Sequence, residues 1–441
     1  MAASLYREII AQVPMHFDAL HMLGLIEYQS GQYESAVRLI QQAIRIDPYY
    51  PLAHLNVGNA LRSLKRPEEA LASYDCALRL KPDYVTALYN RGIALHDLNR
   101  LEEALASYDR ALALNPDYAE ALVNRGVTLR DLTRLEEALA SYDRALGLNP
   151  DLADAFNNRG NILSDLKRPA DALASYDRAL SLKPDYAEAF YNRGNALLEL
   201  KRRDEAIGAY RKALENGGDS EQIKYALAAL GAEAPPTASP MQYVKKLFDR
   251  YADRFDQHLV GELKYQTPTL LFDAIRRFAP SGNLDILDLG CGTGLFGSLL
   301  RPFARTLTGV DLSSNMLEKA QQRQVYDHLI CSELTEFLQT QTNNFDLAVA
   351  ADVFVYIGDL SRVFHGVQGA LRGGGFFGFS VEADDGEDFV LRPTRRYAHS
   401  VVYLQKLADD HGFAVESIEQ QVIRQQEGID INGYHAIMRC L

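Results

Sequence analysis

The sequence predicts two structural units: an all-α solenoid of repeated helix pairs, and an α/β domain whose parallel sheet ends in an antiparallel hairpin. Residues 17–220 repeat with a period of 34, whereas apolar strand-like runs alternate with helical segments beyond residue 240. Between them, residues 231–240 contain three prolines and break the periodicity. With 441 residues, 47% of them hydrophobic, each unit can form its own core.

Small and aromatic residues mark each repeat. The glycine register is Gly24, Gly58, Gly92, Gly126, Gly160 and Gly194, and the tyrosine register is Tyr74, Tyr108, Tyr142, Tyr176 and Tyr210. Small residues let two antiparallel helices cross closely, and the tyrosine fills the space between neighbours. The pattern resembles tetratricopeptide repeats, which implies a superhelix with a concave groove. Six full repeats begin at residue 17, and residues 1–16 are predicted to be the second helix of another repeat. Either the natural N-terminus is truncated or a single helix caps the stack.

One polar residue recurs on the first helix of successive repeats. These residues are Asn56, Asn90, Asn124, Asn158 and Asn192. Asparagine offers both a donor and an acceptor, so such a row could hold the backbone of an extended peptide. The alternative is that asparagine is simply common in this repeat. The arginines that follow, at 91, 125, 159 and 193, are expected to pack through their aliphatic stems.

The junction is predicted to be a cap and a linker. Residues 221–230 form a further helix that covers the last repeat, and the proline-rich residues 231–240 are typical of an extended, semi-rigid connection. The predicted division is therefore a solenoid over 1–220, the cap and linker over 221–240, and the α/β domain over 241–441.

The second unit begins with an aromatic-rich helical segment, residues 243–255, and continues as alternating strands and helices. Strands are predicted at 285–289, 306–310, 327–331, 345–350 and 375–381. The extended tail segments 414–424 and 434–439, separated by Gly428 and Gly433, predict the antiparallel hairpin.

A glycine-rich turn follows the first of these strands. Residues 288–294 read Asp-Leu-Gly-Cys-Gly-Thr-Gly, and glycine at every second position lets backbone approach a ligand closely. Asp311 ends the next predicted strand, where a carboxylate could accept hydrogen bonds from both hydroxyls of a ribose. The third glycine comes one residue earlier than in the dinucleotide-binding pattern. Both the spacing and the terminal hairpin argue against a dinucleotide dehydrogenase.

The turn at 288–294, Asp311, Glu333-Leu334 and Asp346 together resemble the successive motifs of class I S-adenosylmethionine-dependent methyltransferases, over roughly residues 241–441. The whole chain resembles bacterial predicted methyltransferases fused to tetratricopeptide repeats. This resemblance implies a Rossmann-like fold and S-adenosyl-L-methionine as the cofactor. The cofactor-binding residues that it implies are Tyr251, Asp288, Gly290, Cys291, Gly292, Gly294, Asp311, Leu312, Met316, Glu333, Leu334 and Ala351.

The resemblance also places substrate contacts after the fourth and fifth strands. The residues expected there are Asp352, Arg396 and Tyr397. For Asp352 the alternative is a helix N-cap. His399 is the candidate base for an oxygen or nitrogen acceptor, with a packed or capping role as its alternative. The aromatic segment, including Tyr251, either closes over the cofactor and substrate or only forms core.

Composition limits the partners. A formal net charge of −13 argues against nucleic acid or an anionic membrane. The four cysteines lack the spacing of metal ligands, which favours a reducing compartment without a metal site. The first residues lack the features of a secretory signal, so a cytoplasmic location is predicted.

The function predicted from these features is an S-adenosylmethionine-dependent methyltransferase whose repeats recruit a protein partner or a protein substrate. One alternative is a small-molecule methyltransferase that uses its repeats for assembly. The other is a non-catalytic scaffold that binds the cofactor without turnover. The sequence leaves the methyl acceptor and its acceptor atom undetermined.

Overall fold

The structure is a computed structural model that describes residues 2–252, 255–256, 266–279, 282–426 and 429–441. Its contacts divide the chain into two compact units, Met1–Gly218 and Asp219–Leu441. Among the described helices, none combines the length and the apolar character that a membrane span requires.

The described part of the first unit consists of helices arranged in antiparallel pairs. They are α1 Ala2–Gln12, α2 Phe17–Gln29, α3 Tyr33–Ile46, α4 Pro51–Ser63, α5 Pro67–Leu80, α6 Val85–Asp97, α7 Leu101–Leu114, α8 Ala119–Asp131, α9 Leu135–Leu148, α10 Ala153–Asp165, α11 Pro169–Leu182, α12 Ala187–Glu199 and α13 Arg203–Glu215. This architecture confirms the predicted repeat solenoid.

The contact between glycine and tyrosine explains the repeat pattern. A Cβ atom added at Gly160 would lie 2.4 Å from Cε1 of Tyr176, so only glycine lets the ring pack there. The hydroxyl of Tyr176 donates to Asn161 Oδ1 at 2.9 Å. In the preceding repeat Val127 occupies the position of Asn161, and the buried hydroxyl of Tyr142 has no hydrogen-bond partner in the described part of the chain.

The arginines that were expected to pack through their stems are mostly covered, and their guanidinium groups also form bridges. Nε of Arg91 on α6 donates to Asp75 on α5 at 2.7 Å, and its Nη1 donates to Ser107 on α7 at 2.6 Å. The equivalent bridges join Arg125 to Asp109 and Ser141, and Arg159 to Asp143 and Ser175. Because α5 belongs to the preceding repeat, each bridge connects neighbouring repeats.

The second unit is an α/β domain. Its described helices are α14 Ser220–Ala229, α15 Met241–Tyr251, α16 Thr267–Ile275, α17 Leu295–Leu300, α18 Ser314–Gln322, α19 Leu334–Leu338, α20 Ser361–Ala370 and α21 Val401–Asp410. Its described strands are β1 Leu284–Leu289, β2 Ala304–Asp311, β3 His328–Cys331, β4 Phe345–Ala350, β5 Leu371–Asp384, β6 Phe389–Leu391, β7 Tyr397–Ser400, β8 Phe413–Gln426 and β9 Ile429–Cys440.

The sheet has the predicted parallel centre and antiparallel end. Strands β3, β2, β1, β4 and β5 lie side by side in parallel, and β9 joins β5 in antiparallel orientation and pairs with β8. Alternate residues of β1 enter two separate apolar cores: Ile286 packs with α16 and α17, and Leu287 packs with α19, α20 and α21. Helices therefore cover both faces. The short β6–β7 hairpin was not predicted, and Gly428 of the predicted terminal turn lies outside the described residues.

Residues 221–240, predicted as a cap and a linker, are part of the second unit, which begins at Asp219. The hydroxyl of Tyr225 on α14 donates to the carbonyl of Arg395 at 2.6 Å and lies 2.7 Å from Ser239 Oγ. The amide of Ser239 donates to the carbonyl of Tyr356 at 2.8 Å. These hydrogen bonds hold the proline-rich segment against the α/β domain, so it is not a free connection.

Candidate active site

A cavity of about 430 Å³ lies at the carboxyl ends of β1, β2 and β4, where open α/β sheets bind their ligands. Ten of the residues singled out in the sequence line it: Tyr251, Gly290, Gly292, Asp311, Leu312, Glu333, Leu334, Ala351, Asp352 and Arg396. Apolar residues of α15 and of the segment after β4, including Val244, Leu247, Phe248, Val353 and Val355, complete the walls.

The turn after β1 has a left-handed backbone. Gly290 has φ of +64° and Gly292 has φ of +55°, and both border the cavity. A Cβ atom at position 290 would lie 2.5 Å from Cγ2 of Val353. Both the backbone angle and the close packing therefore require glycine at position 290.

Asp311 at the end of β2 is held in place by backbone donors. Its Oδ2 accepts from the amide of Gly292 at 2.9 Å, and its Oδ1 accepts from the amide of Ser313 at 2.8 Å. Burial raises the pKa of this carboxyl, whereas the hydrogen bonds from Ser313 and Gly292 oppose the increase. A carboxylate has about four acceptor sites, so Asp311 can still accept a hydrogen bond from a ligand in the cavity.

Glu333 lies at the start of α19 and serves as its N-cap. One of its oxygens, Oε2, accepts from the amide of Glu336 at 2.9 Å and from the hydroxyl of Thr335. This capping explains why glutamate is compatible with the position and fixes the side chain at the cavity wall.

Helix α15 covers the cavity and is fastened at Asp249. The hydroxyl of Ser313 donates to Asp249 Oδ1 at 2.6 Å, and Asn315 Nδ2 donates to the carbonyl of Asp249 at 3.0 Å. The ring of Phe248 packs edge-on against Tyr356, with 5.4 Å between centroids. The aromatic segment thus forms one wall of the cavity; its residues 253 and 254 lie outside the described residues.

Asp352 does not cap a helix. It has φ of +57°, and the helical turn that follows begins after Val353. The amide of Asp352 donates to Ser380 Oγ at 2.8 Å, and Ser380 donates to Asp352 Oδ1 at 3.1 Å. The carboxylate is therefore held by a neighbouring strand, and burial raises its pKa.

Five of the predicted binding residues do not line the cavity. Cys291 and Met316 are buried behind it, and Gly294 begins α17 beside Tyr326. Asp288 is buried and accepts a hydrogen bond of 2.6 Å from the hydroxyl of Tyr326; burial raises its pKa to about 7. Asp288, Cys291 and Gly294 belong to the turn itself, and Met316 lies on α18. Tyr397 is buried and donates to the carbonyl of Pro236 at 2.6 Å.

The structure contradicts the prediction of His399 as a base. Its side chain has no solvent exposure, its ring stacks on Tyr403 with 5.8 Å between centroids, and its Nε2 donates to the carbonyl of Gly358 at 2.9 Å. Burial lowers the pKa of this imidazole to about 4, so it is neutral near pH 7. His399 is therefore a packed residue, because the rings of Phe389 and Tyr403 lie against its imidazole.

Sequence reasoning missed Arg424, Tyr356 and Ser239, which also line the cavity. The sequence signal for Arg424 is that it directly follows the apolar Val422 and Ile423 in a strand-like run. The structure places it in β8 with its side chain buried. A charged residue at a buried strand position is unusual without a specific partner. Tyr356 and Ser239 give no comparable signal.

The asparagine row is engaged within the solenoid. Nδ2 of Asn90 donates to Asn59 at 2.8 Å, that of Asn124 to Tyr89 at 2.9 Å, and that of Asn192 to Asn157 at 3.1 Å, while Asn56 Nδ2 lies 3.0 Å from His21 Nε2. The fifth, Asn158, makes no such bond among the described residues. Most of the row therefore connects neighbouring repeats through its amide donors.

Comparison with known proteins identifies the same two parts. A family model for a methyltransferase domain matches residues 287–379. Models for a tetratricopeptide repeat match residues 55–117, 89–153 and 157–221, and a further model for a TPR repeat matches residues 24–64.

Curated relatives include a malonyl-[acyl-carrier protein] O-methyltransferase from Pseudescherichia vulneris, which is 29% identical over 140 residues, 32% of this chain and 53% of the relative. Methyltransferase-like protein 27 from Homo sapiens is 34% identical over 136 residues, 30% of this chain and 53% of the relative. The chain spans about half the length of the curated relatives it matches. Among solved structures, YrrB, a TPR protein with an unusual peptide-binding site, is 27% identical with a TM-score of 0.38, over 42% of this chain and 96% of YrrB.

The fold and the matched models define a helical repeat solenoid followed by an α/β domain of the methyltransferase type. The chain is therefore a fusion of tetratricopeptide repeats with a methyltransferase domain.

Proposed function

We propose that the second unit is an S-adenosylmethionine-dependent methyltransferase. The observation that carries this proposal is the cavity wall formed by the left-handed glycine turn and by Asp311, whose two oxygens are oriented by the amides of Gly292 and Ser313. The glycines of the turn carry no side chain, so their backbone can approach the amino-acid part of the cofactor closely. The fixed carboxylate of Asp311 suits the two hydroxyls of the ribose.

The residues around the cavity fit the remaining parts of that cofactor. Leu312 and Leu334 offer apolar surface for a purine, and Glu333 offers an acceptor for its exocyclic amine. Helix α15 would exclude water from above. When bound, the cofactor supplies an activated methyl group on a sulfonium. The chain then needs to orient the acceptor in line with that group and to keep water away.

Calorimetry on the full chain tests the cofactor assignment. We expect both S-adenosylmethionine and S-adenosylhomocysteine to bind, and Asp311→Asn to weaken both at least tenfold, about 1.4 kcal/mol. The matched control is Asp409→Asn on α21, which is exposed and does not line the cavity. No binding to the unsubstituted chain, or equal affinity in the Asp311 variant, would refute the assignment.

We also propose that the repeat array recruits a protein partner, which is the methyl acceptor or carries it. Stacked helix pairs present extended surfaces that suit protein binding. Since most of the asparagine donors are engaged between repeats, this proposal depends on the array as a whole rather than on that row.

Labelling with a radioactive methyl donor in a cell lysate tests recruitment and turnover together. We expect label in protein with the full chain and much less with residues 219–441 alone, provided that this shorter chain binds S-adenosylhomocysteine as the full chain does. Equal labelling by both would refute recruitment. Label only in small molecules would favour a small-molecule acceptor, and no transfer at all would favour a scaffold.

A further inference from the structure

Charged residues gather at one end of the cavity. Arg424 on β8, Arg396 before β7 and Asp352 after β4 line the cavity, and Glu382 on β5 lies behind them. The side chains of Arg424 and Glu382 are only 3% and 4% exposed. Charges buried to this extent are costly unless they are fully paired or serve a ligand.

The pairing within this cluster is incomplete. Glu382 Oε1 accepts from Arg424 Nη2 and lies 3.7 Å from Arg396 Nη1, while its Oε2 lies 3.4 Å from Arg392 Nη1. One carboxylate thus faces three guanidinium groups. Arg392 has further partners in Asp384, at 3.7 Å, and in the carbonyl of Ala383, to which it donates at 2.6 Å.

Some donors of the two cavity arginines remain unpaired within the described ranges, although Arg424 donates to Glu382. Nη1 of Arg424 lies 3.5 Å from Asp352 Oδ2, at the limit of a hydrogen bond, and its buried Nε has no partner in the part of the chain that the structure describes. The guanidinium of Arg396 makes no hydrogen bond to the described residues, and its side chain is 28% exposed. A guanidinium carries five donors, so most donors of Arg396 are available to a bound molecule.

The balance of charge favours a ligand with a single negative charge. Arg396 and Arg424 offer guanidinium donors to a bound anion, while the carboxyl groups of Glu382 and Asp352 lie beside them. A doubly charged phosphate would be repelled by these carboxyl groups more strongly than a carboxylate would. Next to the arginines, Val244, Leu247 and Val355 offer apolar surface.

We propose that Arg396, with Arg424 behind it, binds a carboxylate of the methyl acceptor, so that the acceptor is a carboxylic acid with an apolar body. This inference rests on the proposed methyltransferase function. Ala351 and Asp352, which follow β4, line the same cavity as Gly290 and Gly292, so an acid bound by Arg396 would share the cavity proposed for the methyl donor. Planar guanidinium groups match a carboxylate with two parallel hydrogen bonds, which an amide of the same shape cannot reproduce.

The test uses the full chain saturated with S-adenosylhomocysteine and titrated with propanoate, hexanoate and octanoate, with the matching amides and with octyl phosphate. At least one of these carboxylates should bind at least tenfold more tightly than its amide. Arg396→Met, which removes the charge but keeps an aliphatic side chain, should abolish that preference while changing the affinity for S-adenosylhomocysteine less than twofold.

Arg392→Met is the matched control, because Arg392 contacts the same Glu382 but does not line the cavity. It should keep the carboxylate preference, and Arg396→Lys should keep part of it. Equal binding of carboxylates and amides, tighter binding of octyl phosphate, or a preference that survives Arg396→Met would overturn the inference. If S-adenosylhomocysteine itself does not bind, the proposed function fails instead.

Discussion

Tyr142→Phe should stabilise the solenoid, although it removes a polar group from a buried tyrosine. The hydroxyl of Tyr142 is buried without a partner among the described residues, since Val127 stands where three other repeats carry Asn59, Asn161 and Asn195. An unpaired buried hydroxyl costs about 1–3 kcal/mol, and phenylalanine keeps the ring that packs on Gly126. We therefore expect the free energy of unfolding to rise by about 1 kcal/mol.

The matched variant is Tyr176→Phe in the next repeat. It removes the 2.9 Å hydrogen bond to Asn161 and leaves that acceptor unsatisfied, so it should lower the free energy of unfolding by about 1–2 kcal/mol. The two substitutions are chemically identical, and the expected difference between them is about 2–3 kcal/mol. Repeat arrays suit such a comparison because their stability is close to a sum of local terms.

Urea unfolding of the full chain, followed by circular dichroism of the helices, measures this difference. Val127→Asn completes a double-mutant cycle: it should supply the missing acceptor and stabilise the unsubstituted chain more than it stabilises the Tyr142→Phe variant. Equal destabilisation by Tyr142→Phe and Tyr176→Phe, or no coupling between positions 127 and 142, would refute the reasoning.

Three further predictions concern packing, pH and the cavity wall. Gly160→Ala should destabilise the solenoid by about 1–3 kcal/mol because the added Cβ would overlap Tyr176. In contrast, a Cβ added at Gly208 would have no atom within 4 Å, so Gly208→Ala should stabilise α13 by about 0.5–1 kcal/mol. Thermal unfolding should therefore show a lower midpoint for the first variant and a higher midpoint for the second. Burial lowers the pKa values of His399 and His435 to about 4. As the pH falls below about 6.5, the unfolded chain binds protons at these histidines before the folded chain does, so the free energy of unfolding should drop by about 2 kcal/mol per histidine between pH 7 and pH 5. Urea titrations at the two pH values would measure this drop, and His435→Phe should remove the part that is due to His435. Tyr225→Phe should destabilise the second unit by about 1–3 kcal/mol, because the carbonyl of Arg395 and the hydroxyl of Ser239 lose their hydrogen-bond partner. Hydrogen exchange at the amide of Ser239 should then be faster, and an unchanged exchange rate would contradict the assigned contact.

The sequence predicted the fold well because its main signals are local. The 34-residue period and the run from β1 into the glycine turn are visible in the sequence itself, and the structure places Gly290, Gly292 and Asp311 at one cavity. The missed features depend on distant contacts. Tyr225 reaches a carbonyl 170 positions away, and Arg424 meets Glu382 across 42 positions. The prediction of His399 as a base was wrong for the same reason, since no local sequence pattern reveals the aromatic rings that pack against it.

The hydrogen bonds that Ser239 makes with Tyr225 and Tyr356 bear on where this protein can be cut or recombined. A proline-rich stretch is the usual place to separate two modules, and residue 240 would be the natural point of excision. Here Ala238 and Ser239 are part of the cavity wall, and Tyr225 on α14 holds Ser239 in place. A fragment that begins at residue 240 would lose that part of the wall, so a fragment for transfer to another protein should begin near residue 219.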